Sequence, residues 1–250
     1  MAAPRIFTPQ LPLCGQFSLD GPEVRHAATV LRLGVGDSLM AFDGKGGEAL
    51  CQILQVDKRS LELLIEERID TDRELGFQLR AFVSVPKGDR QRVLVDGLSQ
   101  LGVSHLHPLL TKRSVVKPAS SERLQRYAVE SAKQCGRNVV MSVGASQTAE
   151  SLSNTTASND APLPSARLVA HPYGESLRVK DWLDGQSQNQ ETLLREIDFA
   201  IGPEGGFTEA EIEQLVNSGW QAVSLGKSIL RTEMAALHLA GLIAATFEHR

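Results

Sequence analysis

Ile197-Asp198-Phe199-Ala200-Ile201-Gly202-Pro203-Glu204-Gly205-Gly206-Phe207-Thr208-Glu209-Ala210-Glu211 reads as an apolar strand running into a three-glycine loop and then into a helix. Thr208 and Glu211 have the T-x-x-E spacing of a capping box, in which each residue satisfies a backbone N–H that the helix start leaves open. Glycines at such a junction permit unusual backbone angles and close approach of a ligand, and in open α/β sheets ligands sit beyond the carboxyl ends of the strands. A plain tight turn would not need three glycines around a carboxylate. Neither G-x-G-x-x-G nor G-x-x-x-x-G-K-[ST] is present, which disfavours a dinucleotide or P-loop site. Glu204 would repel phosphate and suits ribose hydroxyls, so the pattern points to a nucleoside-like ligand without phosphates.

The same logic recurs downstream. Ala222 to Leu225 is a strand, Gly226-Lys227-Ser228-Ile229-Leu230-Arg231 a loop, and Thr232 the cap of a final helix reaching Phe247, so two ligand-compatible loops lie on one sheet edge. That helix is apolar nearly all round and should be buried, in part by a second subunit. Upstream, strands at Gln78 to Val85 and Leu168 to His171 alternate with helices at Gln91 to Leu101 and Ser121 to Cys135. Such alternation predicts a mostly parallel sheet covered by helices. The polar stretches Ser146 to Ser165 and Asp184 to Glu191 read as surface loops. Residues 1–72 have another rhythm, with short strands at Ser38 to Phe42, Ala49 to Leu54 and Ser60 to Ile65 between Gly- and Asp-rich turns, and one helix from Pro22 to Leu33. Close turn spacing predicts a small β-barrel there, with residues 73–250 forming the α/β domain.

Composition bounds the function. The 250 residues carry 26 Lys and Arg against 30 Asp and Glu, a net charge of -4, with 42% apolar residues. This is the balance of a globular chain, neither disordered nor fibrous. Three widely spaced cysteines argue against a disulfide framework or zinc site and fit a reducing compartment. Neither a secretory signal nor a run of 18 apolar residues is visible, so a cytoplasmic protein without a membrane anchor is expected. Charge is unevenly spread: Lys87 to Arg137 holds ten basic and four acidic residues, a local excess suited to a polyphosphate backbone.

Gly202-Pro203-Glu204-Gly205-Gly206-Phe207 followed by Leu225-Gly226-Lys227-Ser228-Ile229-Leu230-Arg231-Thr232-Glu233 resembles the C-terminal signature of the RsmE family, ribosomal RNA uracil-N(3) methyltransferases of the SPOUT class. Pro4-Arg5-Ile6-Phe7, His26 with Val30-Leu31-Arg32, Lys87-Gly88 with Arg90, Arg113-Ser114-Val115, and Glu130 with Gln134, Gly136 and Arg137 agree with it. The resemblance implies a PUA-like β-barrel that helps hold RNA, then a SPOUT α/β domain with a C-terminal trefoil knot, and a homodimer through the knotted region. It implies S-adenosyl-L-methionine as cofactor, bound by Gly202, Pro203, Glu204, Gly205, Gly206, Leu225, Gly226, Ile229, Leu230 and Arg231. The implied substrate is 16S ribosomal RNA of the small subunit, and Arg5, Arg32, Lys87, Arg90, Lys112, Arg113 and Arg137 form the RNA-facing set. Gln100, Met234 and Cys135 stand where the family usually has Glu, Thr and Ser.

For catalysis the expected residues are Arg231, Arg113 and Glu204. The arginines would bind the anion developing on the base, because arginine stays protonated near neutrality. Glu204 and Glu233 are the carboxylates open to a role as proton acceptor, and no metal is called for. Three alternatives stay open: an RNA-binding protein without catalysis, a methyltransferase acting on another RNA nucleotide, and an α/β enzyme acting on a small nucleotide.

Overall fold

The computed structural model describes residues 3–115, 120–154, 165–173, 176–188 and 194–247. Two compact units emerge, Met1–Glu74 with Val129–Val140, and Leu75–Ala128 with Met141–Arg250.

In the first unit β1 (Arg5–Phe7), β2 (Gln16–Asp20), β3 (Ser38–Phe42), β4 (Glu48–Val56) and β5 (Ser60–Ile69) form a sheet in the order β1-β3-β4-β5-β2. The edge strands β1 and β2 went unread in the sequence because they are only three and five residues long. Along β4 and β5 the two-residue period buries Cys51, Ile53, Leu61 and Leu63 against Ile6 and Leu39. Register shifts at Leu50/Cys51 and Ile53/Gln55 bend the strands, so the expected small barrel takes the form of a curled five-stranded sheet. The helix expected from Pro22 to Leu33 is shorter. α1 (Pro22–Arg25) passes into a π turn, His26–Val30, and Arg32 then adopts a left-handed φ of 56°, which ends the spiral before Gly34.

The second unit is built on β6 (Gln78–Val83), β7 (His105–Leu110), β8 (Ser142–Val143), β9 (Gln147–Thr148), β10 (Ser165–Ala170), β11 (Leu177–Arg178), β12 (Glu196–Ile201) and β13 (Gln221–Ser224). Seven strands run in the order β11-β13-β10-β12-β6-β7-β8, with β9 paired to β7, and every pairing is parallel. Its helices are α2 (Arg90–Gln100), α3 (Ser121–Cys135, whose last turns belong to the first unit), α4 (Ala149–Asn154), α5 (Val179–Gln188), α6 (Glu209–Asn217) and α7 (Thr232–Phe247). Both stretches read as loops are partly helical: α4 buries Ala149 and Leu152, and α5 runs on to Gln188. Residues 155–164 and 189–191 of those stretches, and Lys117 of the basic segment, lie outside the described residues.

One apolar layer joins Phe82, Leu109, Val169 and Ala200 of the sheet to Leu152 of α4 and Leu215 of α6, with Phe207 and Trp220 between. α7 meets β6, β12, α2 and α5. α2 buries Gln91, Leu94, Val95 and Leu98, the spacing of one helix face. At Gly97 a Cβ would lie 2.4 Å from a methyl of Leu237, so glycine is what lets α2 and α7 approach this closely. α7 is buried on most of its circumference and keeps one open side, where Met234 is 51% exposed and His238 and Ala245 also face outward.

Candidate cofactor site and its second chamber

Three neighbouring strands of the second unit, β13, β10 and β12, end at the same sheet edge, and the loops that leave them enclose a cavity of about 160 Å³. The glycine loop Gly202 to Phe207 forms one wall, and Leu225, Gly226, Ser228, Ile229 and Leu230 form another. Ala170 to Tyr173 closes the third side, and Thr232 and Ala235 of α7 also line the space. The two segments singled out in the sequence therefore converge on one cavity.

The glycine loop is fixed from several directions. The capping box is formed: Glu211 N donates to Thr208 Oγ1 at 3.3 Å, and Thr208 N donates to Glu211 Oε2 at 2.8 Å. The other carboxylate oxygen of buried Glu211 accepts Lys112 N at 2.8 Å, which ties the loop after β7 to the start of α6. Arg113 adds a second tie, its Nη1 donating to the carbonyls of Gly205 at 2.9 Å and Phe207 at 3.2 Å. Gly206 takes a φ of 67°, a left-handed angle that suits glycine. Thr232 acts differently from the expected cap: its Oγ1 donates to Gly202 O at 3.3 Å, while Arg231 O accepts Ala235 N at 2.8 Å. The first turn of α7 is thereby fastened to the glycine loop.

Glu204 lines the cavity but is not held for a ribose alone. Arg90 Nη1 donates to its Oε1 at 3.0 Å. A hydrogen bond from its own backbone amide, ahead of Arg90 and Lys87, holds the carboxyl below the usual carboxylate range. The same Nη1 lies 3.7 Å from Glu233 Oε2, a buried oxygen with no hydrogen-bond partner among the described residues. Glu233 lines no part of the cavity.

Several expected site residues are displaced. Arg231 is exposed and absent from the cavity wall, so of the two expected arginines only Arg113 reaches it. In the first unit Arg137 is buried and bonds the carboxylate of Glu74, with Nε to Oε1 at 2.9 Å. Arg5 is paired with the fully buried Glu48, donates to Arg137 O at 3.0 Å and lies over the Phe42 ring. Both guanidiniums, expected to face RNA, are engaged by partners within their own unit. Arg90 is likewise committed to carboxylates. Arg32, Lys87 and Lys112 are exposed as an RNA-facing role requires. His171, Pro172 and Tyr173 were not anticipated, although a His-Pro-Tyr run straight after an apolar strand was a readable signal. Burial lowers the His171 pKa, with Glu209 opposing, so its ring is neutral at neutral pH.

Two family models match successive parts of the chain. Residues 73–244 match a family model described as an RNA methyltransferase domain, and residues 19–66 match an RNA methyltransferase PUA domain. The chain is 31% identical to ribosomal RNA small subunit methyltransferase E of Synechocystis sp., covering 99% of this chain and 79% of that protein. Against the Bacillus subtilis protein of the same name it is 30% identical, covering 91% and 89%. The Neisseria gonorrhoeae ribosomal RNA small subunit methyltransferase E bound to S-adenosyl methionine is similar at a TM-score of 0.83 and 29% identity, over 98% of both chains. A Legionella pneumophila methyltransferase with bound SAM gives a TM-score of 0.85 at 26% identity, again over 98% of both.

Proposed function

The chain belongs to the RNA methyltransferase family that includes ribosomal RNA small subunit methyltransferase E, and from that membership we propose that it methylates N(3) of a uridine in 16S ribosomal RNA. It is an S-adenosylmethionine-dependent enzyme, and that cofactor, when bound, supplies an activated methyl group. The observation that carries this reading is the convergence of residues 202–206 and 225–230 on one cavity beside Arg113. The cavity suits the donor chemically. Its walls are mostly backbone and apolar side chains, as an adenosine without phosphates requires, and the Glu204 carboxylate complements a cationic sulfonium.

The imide of uracil is a weak acid, so negative charge develops on the ring as its nitrogen is alkylated. Arg113, fixed by two loop carbonyls, is assigned to stabilise that charge. Glu204 is a poor proton acceptor because its carboxyl is held low and paired with Arg90. Rate enhancement then rests on orientation and anion stabilisation. Exposed Lys87 and Lys112 of the second unit, and Arg32 of the first, are assigned to phosphates, which makes RNA affinity fall steeply with salt.

A second copy of the chain is assigned to the open side of α7, where Met234 is 51% exposed. The trefoil knot is assigned from the family. No helix among the described residues is long and apolar enough to cross a membrane, and the cytoplasm is the proposed location. Mass spectrometry of 16S RNA from cells with and without the gene tests the central reading. A methyluridine lost with the gene is the expected result; cofactor binding with an unchanged methylation profile would favour an RNA-binding protein instead.

A further inference from the structure

A second cavity, of about 130 Å³, lies beyond the glycine loop and is lined by Arg113, Pro203, Glu204 and Gly205 in common with the first. Its remaining walls come from the ends of β6 and β7 and the loop after β7, among them Val85, Pro108, Leu109 and Val115. We infer that this second chamber receives the pyrimidine ring of the target nucleotide, an inference that rests on the methyltransferase reading above.

Three features support the assignment. At about 30 Å³ per water the space holds roughly four waters, which is the scale of one ring. Its lining is largely apolar, with Val85 8% and Leu109 2% exposed, so an unstacked base exchanges water for a low-dielectric slot. Arg113 lines both chambers, and its bonds to Gly205 and Phe207 engage only Nη1 of a guanidinium that carries five N–H groups. In uracil the reacting nitrogen lies between two ring carbonyls, and a guanidinium at the shared wall can meet the charge that spreads onto them. In the balanced step the S–CH₃ bond breaks as the N(3)–CH₃ bond forms. The sulfonium keeps the bonding pair as a neutral thioether, and the N(3) proton leaves to solvent.

Filling the chamber tests this. In Val85→Phe a ring replaces two methyls two residues past β6, outside the residues that line the first cavity. Expected are calorimetric affinity for S-adenosylmethionine within about twofold of wild type and a loss of about 100-fold in kcat/KM on 16S RNA. Transfer within threefold of wild type overturns the assignment. If the variant folds poorly, wild-type protein cross-linked to 16S RNA carrying 4-thiouridine at the modified position decides. Cross-links in peptides containing Val85 or Pro108 to Val115 support the chamber, and cross-links found only elsewhere overturn it. Wild-type protein inactive on all ribosomal RNA overturns the underlying reading and this inference together, whereas an active wild type with an equally active Val85→Phe overturns this inference alone.

Discussion

The loops after β12 and β13 have the same plan, strand then glycine then helix, yet they are built to different degrees of completion. Gly202 to Phe207 is secured by the Thr208–Glu211 box, by Arg113 and by Thr232, and it begins and ends on buried residues. Gly226 to Arg231 is exposed throughout, with Ile229 74% exposed. A loop whose carbonyls already have donors inside the protein is organised before ligand arrives and loses little entropy on binding. A loop that presents apolar side chains to water gains when something covers them. The first is a preformed floor, and the second is a wall completed by ligand or by another copy.

The sharpest way to break this contrast is to remove the clamp. Arg113→Ala deletes both bonds to the glycine loop and the positive charge shared by the two chambers. A fall of about 10²- to 10³-fold in turnover is expected, comparable to losing a preorganised donor to a developing oxyanion, with a smaller loss in cofactor affinity. Stopped-flow or single-turnover methyl transfer measures the first and calorimetry the second. Equal losses in both would make Arg113 a cofactor ligand only. An Arg231→Ala variant should be much milder, since that side chain lines neither chamber.

Gly205→Val comes next. A Cβ at Gly205 would sit 3.4 Å from Arg113 Cβ, at the limit of ordinary contact, so the two further methyls of valine must press on Arg113 or enter the chambers. Cofactor affinity should fall by about tenfold or more while the thermal midpoint moves little, because Gly205 is exposed and outside the core. Unchanged calorimetric affinity would show the floor to be softer than its hydrogen bonds suggest. Glu211→Gln sharpens the same point through stability. The amide keeps the shape but loses charge toward the N-terminus of α6 and toward Lys112 N, and a cost of about 1 kcal/mol is expected from urea unfolding.

How much of this was readable follows from the range of the interactions. The capping box was legible because its two members are three residues apart, and the strands of the parallel sheet because their apolar runs are continuous. Thr232 misled for the opposite reason: a local rule made it a cap, whereas its hydroxyl goes 30 residues back to Gly202. Charge count had the same weakness at Arg5 and Arg137, since Glu48 and Glu74, which neutralise them, are distant in sequence. The clamp of Arg113 on Gly205 spans 92 residues and has no local signature; only the family pattern pointed to that arginine. The second chamber is likewise assembled from three separate strand ends, each unremarkable alone.

The smallest expected effect concerns His171, on the third wall of the first cavity. Burial places its folded pKa below the ordinary value of about 6.5, so the ring is neutral at pH 7 and takes a proton only on acidification. For a group whose folded pKa is depressed, the associated stability is complete above the unfolded value and declines as pH falls toward the folded one. Cofactor affinity should follow the same sense, flat above pH 6.5 and weakening by a few fold below it, because an imidazolium on the wall opposes a cationic sulfonium. Calorimetric titrations between pH 7.5 and 5.5 would show the decline, and His171→Gln should flatten it. A decline that persists in the variant would move the titrating group elsewhere. Glu204 is the alternative on the opposite wall, but its carboxyl, already held below the usual carboxylate range, stays ionised across this interval and supplies no slope there.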